Sequence, residues 1–494
     1  MTERRIRRLS EVRLIGGGLV DLDLAPNGTV AAIWPAGVTR SGGETLPGAG
    51  RFVTSGLWDE HVHLGQWAQQ SARLDLGELG RLDEVLDRVA EAVALAADSA
   101  AATGTEPEVI AMRARGSAWD SELTREQLDA VTGDVPTVLV GSDLHGAWLN
   151  SAALRRHGHD PAGTAHVVED DCFALVRELD RIPDAELDRR VSAAARAAAA
   201  RGVVGVVDFE MRWGVEDWAR RERSGFEALR VESAVYPQFL DRAITEGLRT
   251  GSPIGAGELL TVGPLKVITD GSLGTRTAWC DEPYPGSGHD HGRALVEPGE
   301  LVELLGRAAR SGFTAAVHAI GDRAAAQALD AFAWTGCTGR MEHAQLLRAE
   351  DRPRFAQLGV AASVQPEHLL DDREAIARLW PGRADRAFPF ASLLDAGVEL
   401  RFGSDAPVAP LDPWRAIAAA VHRAAPGEPA WQPDERLSIG QALRASMRGE
   451  LRPRVGDPAD LILLDEDPLR LAHVQLAAAP VSATLVGGVL THGG

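Results

Sequence analysis

The chain has 494 residues, of which 45% are hydrophobic and 25% charged, and its formal net charge at pH 7 is -20. This hydrophobic share is enough for a large core, whereas the negative charge and the lack of a basic patch in the sequence argue against a nucleic-acid partner. Three cysteines, Cys172, Cys280 and Cys337, are odd in number and far apart, which excludes a disulfide framework and a CxxC site.

The two ends of the chain carry no clear targeting or membrane signal. Residues 1–8 resemble the charged part of a signal peptide, but Glu11, Arg13 and Asp21 interrupt the apolar run that should follow. The segment 471–494 has no Asp, Glu, Lys or Arg, yet its glycine, proline and polar residues make it a poor membrane span. We therefore expect a cytoplasmic protein without a membrane partner.

The order and spacing of short apolar runs along the chain predict the fold. Residues 12–54 indicate short strands between turns, which is typical of a small β domain. From residue 200 onward, buried-strand runs alternate with helical segments, and this alternation predicts a parallel sheet. Together with the run Phe52–His63 there are eight predicted strands, the number that closes a (β/α)₈ barrel. The other seven are Val203–Phe209, Arg230–Tyr236, Leu265–Thr269, Thr314–His318, Arg340–His343, Val360–Val364 and Glu399–Phe402.

The first two barrel strands are too far apart for an ordinary crossover. About 140 residues lie between them, whereas a βαβ connection usually needs only a few loop residues and a helix. We therefore predict a catalytic barrel over residues 55–447 with an inserted cap region over residues 66–200.

The single lysine of the sequence lies in one of these strands. All other cationic side chains apart from Lys266 are arginines. A lysine amine can lose its proton and react, whereas a guanidinium stays charged. Lys266 is therefore interpreted either as a covalent centre, through a Schiff base or a carbamate, or as a chance survivor of biased composition.

Histidines and an aspartate follow the predicted strands where barrel enzymes place their active sites. His61 and His63 point to the same side of the first strand because the strand period is two, so one metal ion can bind both. His318, His343 and Asp405 end later strands. Of two further pairs, His157/His159 follows a predicted helix and His289/His291 lies in turn-like sequence, and we interpret both as surface loops.

Several motifs together resemble the amidohydrolase superfamily, in its amidohydrolase-3 or YtcJ-like branch, which includes N-substituted formamide deformylases. They are His61-Val-His63, the segment from Leu265 to Gly274 with Arg276-Thr-Ala278, Ala316-Val-His-Ala-Ile-Gly-Asp322, Glu342-His-Ala-Gln345 and Gly403-Ser-Asp-Ala-Pro407. The closing segment from Gly456 resembles the family's return into its β-sandwich. The resemblance thus implies a composite sandwich of residues 1–54 and 448–494.

The resemblance also implies the roles of the site residues. It makes Lys266 a carbamylated bridge between two metal ions, with His61 and His63 on one ion and His318 and His343 on the other. It makes Asp405 a metal ligand that accepts a proton from the attacking water. Nitrogen and oxygen ligands favour zinc, with two ions per chain, although iron and manganese stay open. The implied reaction is hydrolysis of an amide-type C–N bond in a small molecule.

The resemblance extends to substrate-side residues. The segment containing His145 and Asn150 resembles a motif of the family, as does the short stretch ending at Glu169, and Arg276 belongs to the lysine motif. We predict these four as substrate contacts; the alternatives for Asn150 and Glu169 are a helix cap and a solvent-facing acid. Two other functions stay open: a mononuclear or Schiff-base lyase or isomerase, and a non-catalytic partner-binding relative. Homo-oligomerisation is undetermined by the sequence.

Overall fold

The computed structural model describes residues 4–37, 43–71, 73–77, 79–114, 119, 121–141, 146–160, 165–286 and 288–493. The chain folds into two compact units, one of residues 1–64 with 192–494 and the other of residues 65–191. Among the described residues, no helix has the length and apolar character that crossing a membrane requires.

Strands from both chain ends form one eight-stranded sheet, which confirms the predicted terminal β domain. Buried side chains from both ends share its core, among them Ile6, Leu22, Leu461 and Leu485. The N–H of Ile6 donates to the carbonyl of Gly488 (2.8 Å), so the two ends are joined by backbone as well as by packing. The strands are β1 (Ile6–Leu14), β2 (Leu19–Leu24), β3 (Val30–Pro35), β4 (Glu44–Pro47), β5 (Phe52–Ser55), β19 (Leu461–Leu464), β20 (Val481–Val486) and β21 (Val489–Gly493).

A second eight-stranded sheet is parallel throughout and forms the predicted barrel. Its strands are β6 (Leu57–Val62), β12 (Val203–Asp208), β13 (Arg230–Val235), β14 (Leu260–Ile268), β15 (Ala315–Ala319), β16 (Gly339–His343), β17 (Val360–Val364) and β18 (Leu400–Phe402). They follow the order β18-β17-β16-β15-β14-β13-β12-β6. The two end strands meet through the N–H of Asp405, which donates to the carbonyl of His61 (2.7 Å), and the N–H of His63, which donates to the carbonyl of Ala406 (2.8 Å).

The run Phe52–His63 is two strands rather than the single predicted one. β5 belongs to the terminal sheet and β6 to the barrel, and the chain passes between them at Gly56. A Cβ at Gly56 would lie 2.1 Å from Cγ1 of Val204, so only glycine fits this passage. An apolar run cannot reveal such a transfer, because both halves are buried.

Amphipathic helices connect and cover the barrel strands. The helices of this unit are α7 (Gly214–Arg223), α8 (Pro237–Thr245), α9 (Pro298–Arg310), α10 (Asp322–Thr335), α11 (Arg352–Leu358), α12 (His368–Leu379), α13 (Phe390–Asp395), α14 (Pro413–His422), α15 (Ile439–Ala445) and α16 (His473–Ala477). In α9 the buried residues Leu301, Leu304, Leu305 and Ala308 follow the i, i+3, i+4, i+7 spacing of one helix face.

The insertion after the first barrel strand has a five-stranded sheet of its own. Its strands are β7 (Leu74–Asp75), β8 (Val109–Ala114), β9 (Thr137–Gly141), β10 (Gly146–Leu149) and β11 (His166–Val168); its helices are α2 (Leu82–Thr103), α3 (Arg125–Thr132), α4 (Ser151–Arg156) and α5 (Glu169–Leu179), with α1 (Leu64–Gln70) and α6 (Asp184–Ala199) at its borders. The strand order is β11-β10-β9-β8-β7, in which β7 to β9 are parallel and β9 to β11 antiparallel. Two apolar clusters form the core of this unit.

Candidate metal centre

The first barrel strand brings two histidines to the carboxylate of Asp405. Asp405 Oδ1 lies 3.3 Å from Nε2 of His61 and 3.5 Å from Nε2 of His63. The backbone produces this contact, because Asp405 follows β18 directly and its N–H bonds to the carbonyl of His61 across the barrel seam. Its φ is +57°. A non-glycine residue held at positive φ is often found at a functional site.

The charge state of Asp405 follows from its surroundings. Burial alone would raise the pKa of this carboxyl, but the surrounding histidines, led by His61 and His63, hold its pKa well below the ordinary value. The carboxylate is therefore ionised at neutral pH. An ionised carboxylate between imidazoles is a typical ligand set for a divalent metal.

The other oxygen of Asp405 faces a second pair of histidines. Oδ2 lies 4.0 Å from Nε2 of His368, the first residue of α12, whose ring is stacked on that of His343 with centroids 6.2 Å apart. His343 and the following Ala344 both have positive φ, +71° and +44°. The potential ligand atoms of His343, His368 and Asp405 lie within 4.8 Å of one another, as do those of His61, His63 and Asp405.

His318 lies beside these groups and close to a different carboxylate. Its ring centroid is 4.4 Å from that of His343, while its Nδ1 is 3.2 Å from Oδ1 of Asp270. Asp270 is fixed in turn, since its carboxylate accepts the backbone N–H groups of Ile320 and Gly321. His318 thus reaches the second pair of histidines through its contact with His343.

Lys266, in β14, has a buried side chain that lies close to His61. Its Nζ lies 3.4 Å from Nε2 of His61 and 4.2 Å from the ring centroid of Phe209. Burial lowers the pKa of Lys266 to about 8, and the positive charge of Arg340 acts in the same direction, against the carboxylates of Glu342 and Asp405. A neutral amine is therefore accessible near physiological pH.

A buried ion-pair chain holds the far side of His61. Nδ1 of His61 lies 2.8 Å from Oε2 of Glu342, and because a carboxylate can only accept, the imidazole donates here. Oε1 of Glu342 accepts from Nε of Arg340 (2.7 Å), and Arg340 also donates to the carboxylate of Glu60 (2.6 Å). Burial and the charge of Lys266 lower the pKa of His61 to about 4, so its ring is neutral with the Nε2 lone pair free for a metal.

Several imidazole nitrogens in the site lack an internal partner. Four such atoms are buried and make no hydrogen bond within the described part of the chain, namely Nδ1 of His63, His318 and His343 and Nε2 of His368. An unpaired buried polar atom costs free energy. Imidazole nitrogens around an ionised carboxylate are the donors that Zn²⁺ prefers, so the residues present fit a divalent metal.

The predicted substrate-side residues lie in different settings. Asn150 is fully buried and caps α4: its Oδ1 accepts from Thr137 N (3.0 Å) and Ala153 N (2.8 Å), and its Nδ2 donates to Thr132 Oγ1 (2.7 Å). Arg276 is exposed in a turn with φ +57°. His145 lies outside the described residues, as does the side chain of Glu169, whose backbone begins α5. Substrate contact by these four stays a prediction.

The other two histidine pairs lie away from any group of three metal-ligand residues in the described chain. His157 follows α4, and its ring is flanked by carboxylate oxygens of Glu178 (3.0 Å) and Glu108 (3.7 Å). His289 is exposed, and Nδ1 of His291 donates to the carbonyl of Cys280 (3.1 Å).

Sequence reasoning missed two residues of the centre. His368 lies four residues beyond the predicted strand Val360–Val364, in the segment Gln365-Pro-Glu-His368. Applying the strand-end rule to the seventh strand as well would have found it. Glu342 was visible only as part of a motif, because its contact with His61 joins strands far apart in sequence.

A parallel eight-stranded barrel with histidine and aspartate groups at its strand ends has the architecture of a metal-dependent hydrolase. The family described as "Amidohydrolase family" matches residues 49–492, so the chain belongs to the amidohydrolase family, as its motifs predicted.

Individual relatives match over most of their length. The chain is 30% identical over 491 residues to Protein LONG AFTER FAR-RED 3 of Arabidopsis thaliana, covering 89% of this chain and 82% of that protein. It is 26% identical over 507 residues to N-substituted formamide deformylase of Arthrobacter pascens, covering 92% and 91%. Among solved structures, an uncharacterized metal-dependent hydrolase from Pyrococcus horikoshii OT3 superposes with a TM-score of 0.76 at 26% identity, covering 94% of this chain and 99% of that one.

Proposed function

We propose that this chain is a two-metal hydrolase of amide-type carbon–nitrogen bonds, acting on a small N-substituted amide, formamide or cyclic amide. The observation that carries the proposal is the position of the ionised Asp405 between His61 and His63 on one side and His343 on the other. Similarity to an N-substituted formamide deformylase supports the choice of bond.

The proposed ligands follow from this arrangement. His61 and His63 would hold one ion and His318 and His343 the other, with Asp405 and a carbamate on Lys266 completing the site. Zinc is the ion that these nitrogen and oxygen donors favour. A bound divalent metal supplies Lewis acidity, which polarises a carbonyl and lowers the pKa of water from 15.7 toward about 7.

Lys266 would provide the negative bridge. With a pKa of about 8, about one tenth of the amines are neutral at pH 7. The nitrogen lone pair attacks carbon dioxide, an N–C bond forms, one N–H proton is released, and the product carbamate carries one negative charge on two oxygens. Two cations held close together repel each other strongly, so an anion between them stabilises the pair.

Asp405 would move the proton of the reaction. Its low pKa keeps the carboxylate ionised, so that it can accept a proton from the attacking water. The same carboxyl then donates that proton to the leaving nitrogen as the C–N bond breaks. Each transfer is between groups positioned within one site, which is what general acid–base catalysis requires.

The test combines metal analysis with a substrate panel. Purified protein should contain two divalent ions per chain and hydrolyse at least one class among N-acyl, N-formyl and cyclic amides. Lys266→Ala should lose metal and activity together; bicarbonate should restore neither, whereas a short carboxylic acid should restore part of both.

Two controls sharpen this test. A His289→Ala/His291→Ala variant should keep both ions, whereas His61→Ala/His63→Ala should lose at least one ion and all turnover. Covalent trapping of a substrate by borohydride would indicate a Schiff base instead, and a Lys266→Ala variant with two ions and near-normal rates would refute the two-metal mechanism.

A further inference from the structure

One histidine near the candidate metal centre, His368, lies at the start of helix α12. The other candidate ligands lie at the ends of barrel strands. His368 follows β17 after the three residues Gln365, Pro366 and Glu367, and it is the first residue of the helix. Its side chain is 12% exposed, and its Nε2 is buried without a hydrogen-bond partner among the described residues. The nitrogen is therefore directed into the site rather than toward solvent.

The carboxylate of Asp405 divides its oxygens between two directions. Oδ1 faces His61 and His63 at 3.3 and 3.5 Å, whereas Oδ2 faces Nε2 of His368 at 4.0 Å. His343 belongs to the same group as His368, because the ligand atoms of His343, His368 and Asp405 lie within 4.8 Å of one another. Two ligands on one tetrahedral zinc are about 3.4 Å apart at bond lengths of about 2.1 Å. The 4.0 Å between Oδ2 of Asp405 and Nε2 of His368 is close to this separation.

His318 and His368 differ in the carboxylates that lie near their rings. Nδ1 of His318 lies 3.2 Å from the buried carboxylate of Asp270, and His318 belongs to neither group of three ligand residues found in the described chain. His368 belongs to one of them and lies beside no carboxylate within 4.0 Å other than that of Asp405 among the described residues.

We propose that His368 is a ligand of the second metal ion, together with His343 and Asp405. The proposal rests on the two-metal function above and adds a residue to it. It also places one ligand at the start of a helix rather than at a strand end.

The experiment measures metal binding rather than turnover. Metal-free wild type, His368→Ala and His368→Gln are titrated with Co²⁺ by visible absorption and checked by elemental analysis after dialysis. The matched control is His492→Ala, a half-buried histidine in β21 of the terminal sheet. Circular dichroism and unfolding of the metal-free proteins establish that each variant is folded, and the glutamine variant serves if the alanine variant is not.

Wild type and His492→Ala are expected to bind two ions. The His368 variants should bind the first ion normally and the second at least tenfold more weakly. This magnitude is expected because even residues that only orient ligands change metal affinity by about 10–100-fold. Added imidazole should restore second-ion binding in His368→Ala. Two ions bound with unchanged affinity by the His368 variants would overturn the proposal, and lost activity with that result would mean that His368 contacts substrate.

The result for the wild type distinguishes a failure of this proposal from a failure of the proposed function. Two bound ions without hydrolysis of any amide class would overturn the proposed function and leave the ligand assignment intact. A wild type that binds a single ion would overturn both the second position and His368 as its ligand.

Discussion

Replacing Glu342 by glutamine should weaken metal binding although Glu342 is not one of the proposed ligands. The carboxylate accepts two hydrogen bonds, one from Nδ1 of His61 (2.8 Å) and one from Nε of Arg340 (2.7 Å). An amide of the same shape has one accepting oxygen and one donating nitrogen. It can therefore satisfy His61 or Arg340, but not both.

Each orientation of the amide has a calculable cost. If its nitrogen faces His61, the imidazole must carry its proton on Nε2, the atom beside Asp405, and that nitrogen can no longer bind a metal. If its nitrogen faces Arg340, two buried donors oppose each other, which costs about 1–3 kcal/mol. Loss of a ligand-orienting carboxylate typically weakens metal binding about 10–100-fold, equivalent to about 1.4–2.7 kcal/mol.

The assay is competition for metal against a chelator of known affinity, with urea unfolding of the metal-free proteins alongside. Glu300→Gln, at an exposed site in the first turn of α9, is the matched control and should behave as wild type. A Glu342→Gln protein that binds two ions as tightly as wild type would refute the assigned role of Glu342 in orienting His61.

Two further predictions concern stability. Gly56→Ala should lower the free energy of unfolding by about 1–3 kcal/mol, as expected for overpacking, because its Cβ would lie 2.1 Å from Val204. The control Gly299→Ala, whose Cβ would have no atom within 4 Å, should be tolerated. Equal stabilities of the two variants in urea unfolding would contradict the steric argument. The neighbouring carboxylates, led by Glu108, raise the pKa of His157, so its stabilisation is complete below about pH 6.5 and is lost as pH rises through the higher folded-state pKa. His157→Gln should therefore destabilise the protein more at pH 5.5 than at pH 9, and a pH-independent difference in unfolding free energy would show that the charge is irrelevant.

The sequence predicted the elements whose signal is local. Strand runs and the strand-end positions of His61, His343 and Asp405 follow from the period of two and from the geometry of a parallel barrel, and the predicted fold is confirmed. The exchange of sheets at Gly56 was missed because burial is the same on both sides of it.

Residues whose role depends on distant partners were harder to predict. The contact between His61 and Glu342 spans 281 positions, and the stack of His343 on His368 joins a strand to the start of a helix. Neither has a periodic signature. Asn150 is the opposite case, because its role depends on nearby residues. The sequence offered a helix cap as one interpretation, and its side chain caps α4.

The seam of the barrel has a consequence for how the protein matures. The backbone bonds that join β6 to β18 are made by Asp405 and His63, whose side chains also lie in the metal centre. An ion that binds only the closed form stabilises it by about 2.7 kcal/mol when its free concentration is one hundred times its dissociation constant. Under the two-metal function proposed above, metal binding and this last strand pairing are therefore coupled, and each stabilises the other. We therefore expect this seam to open more readily in the metal-free protein than in the metal-loaded protein.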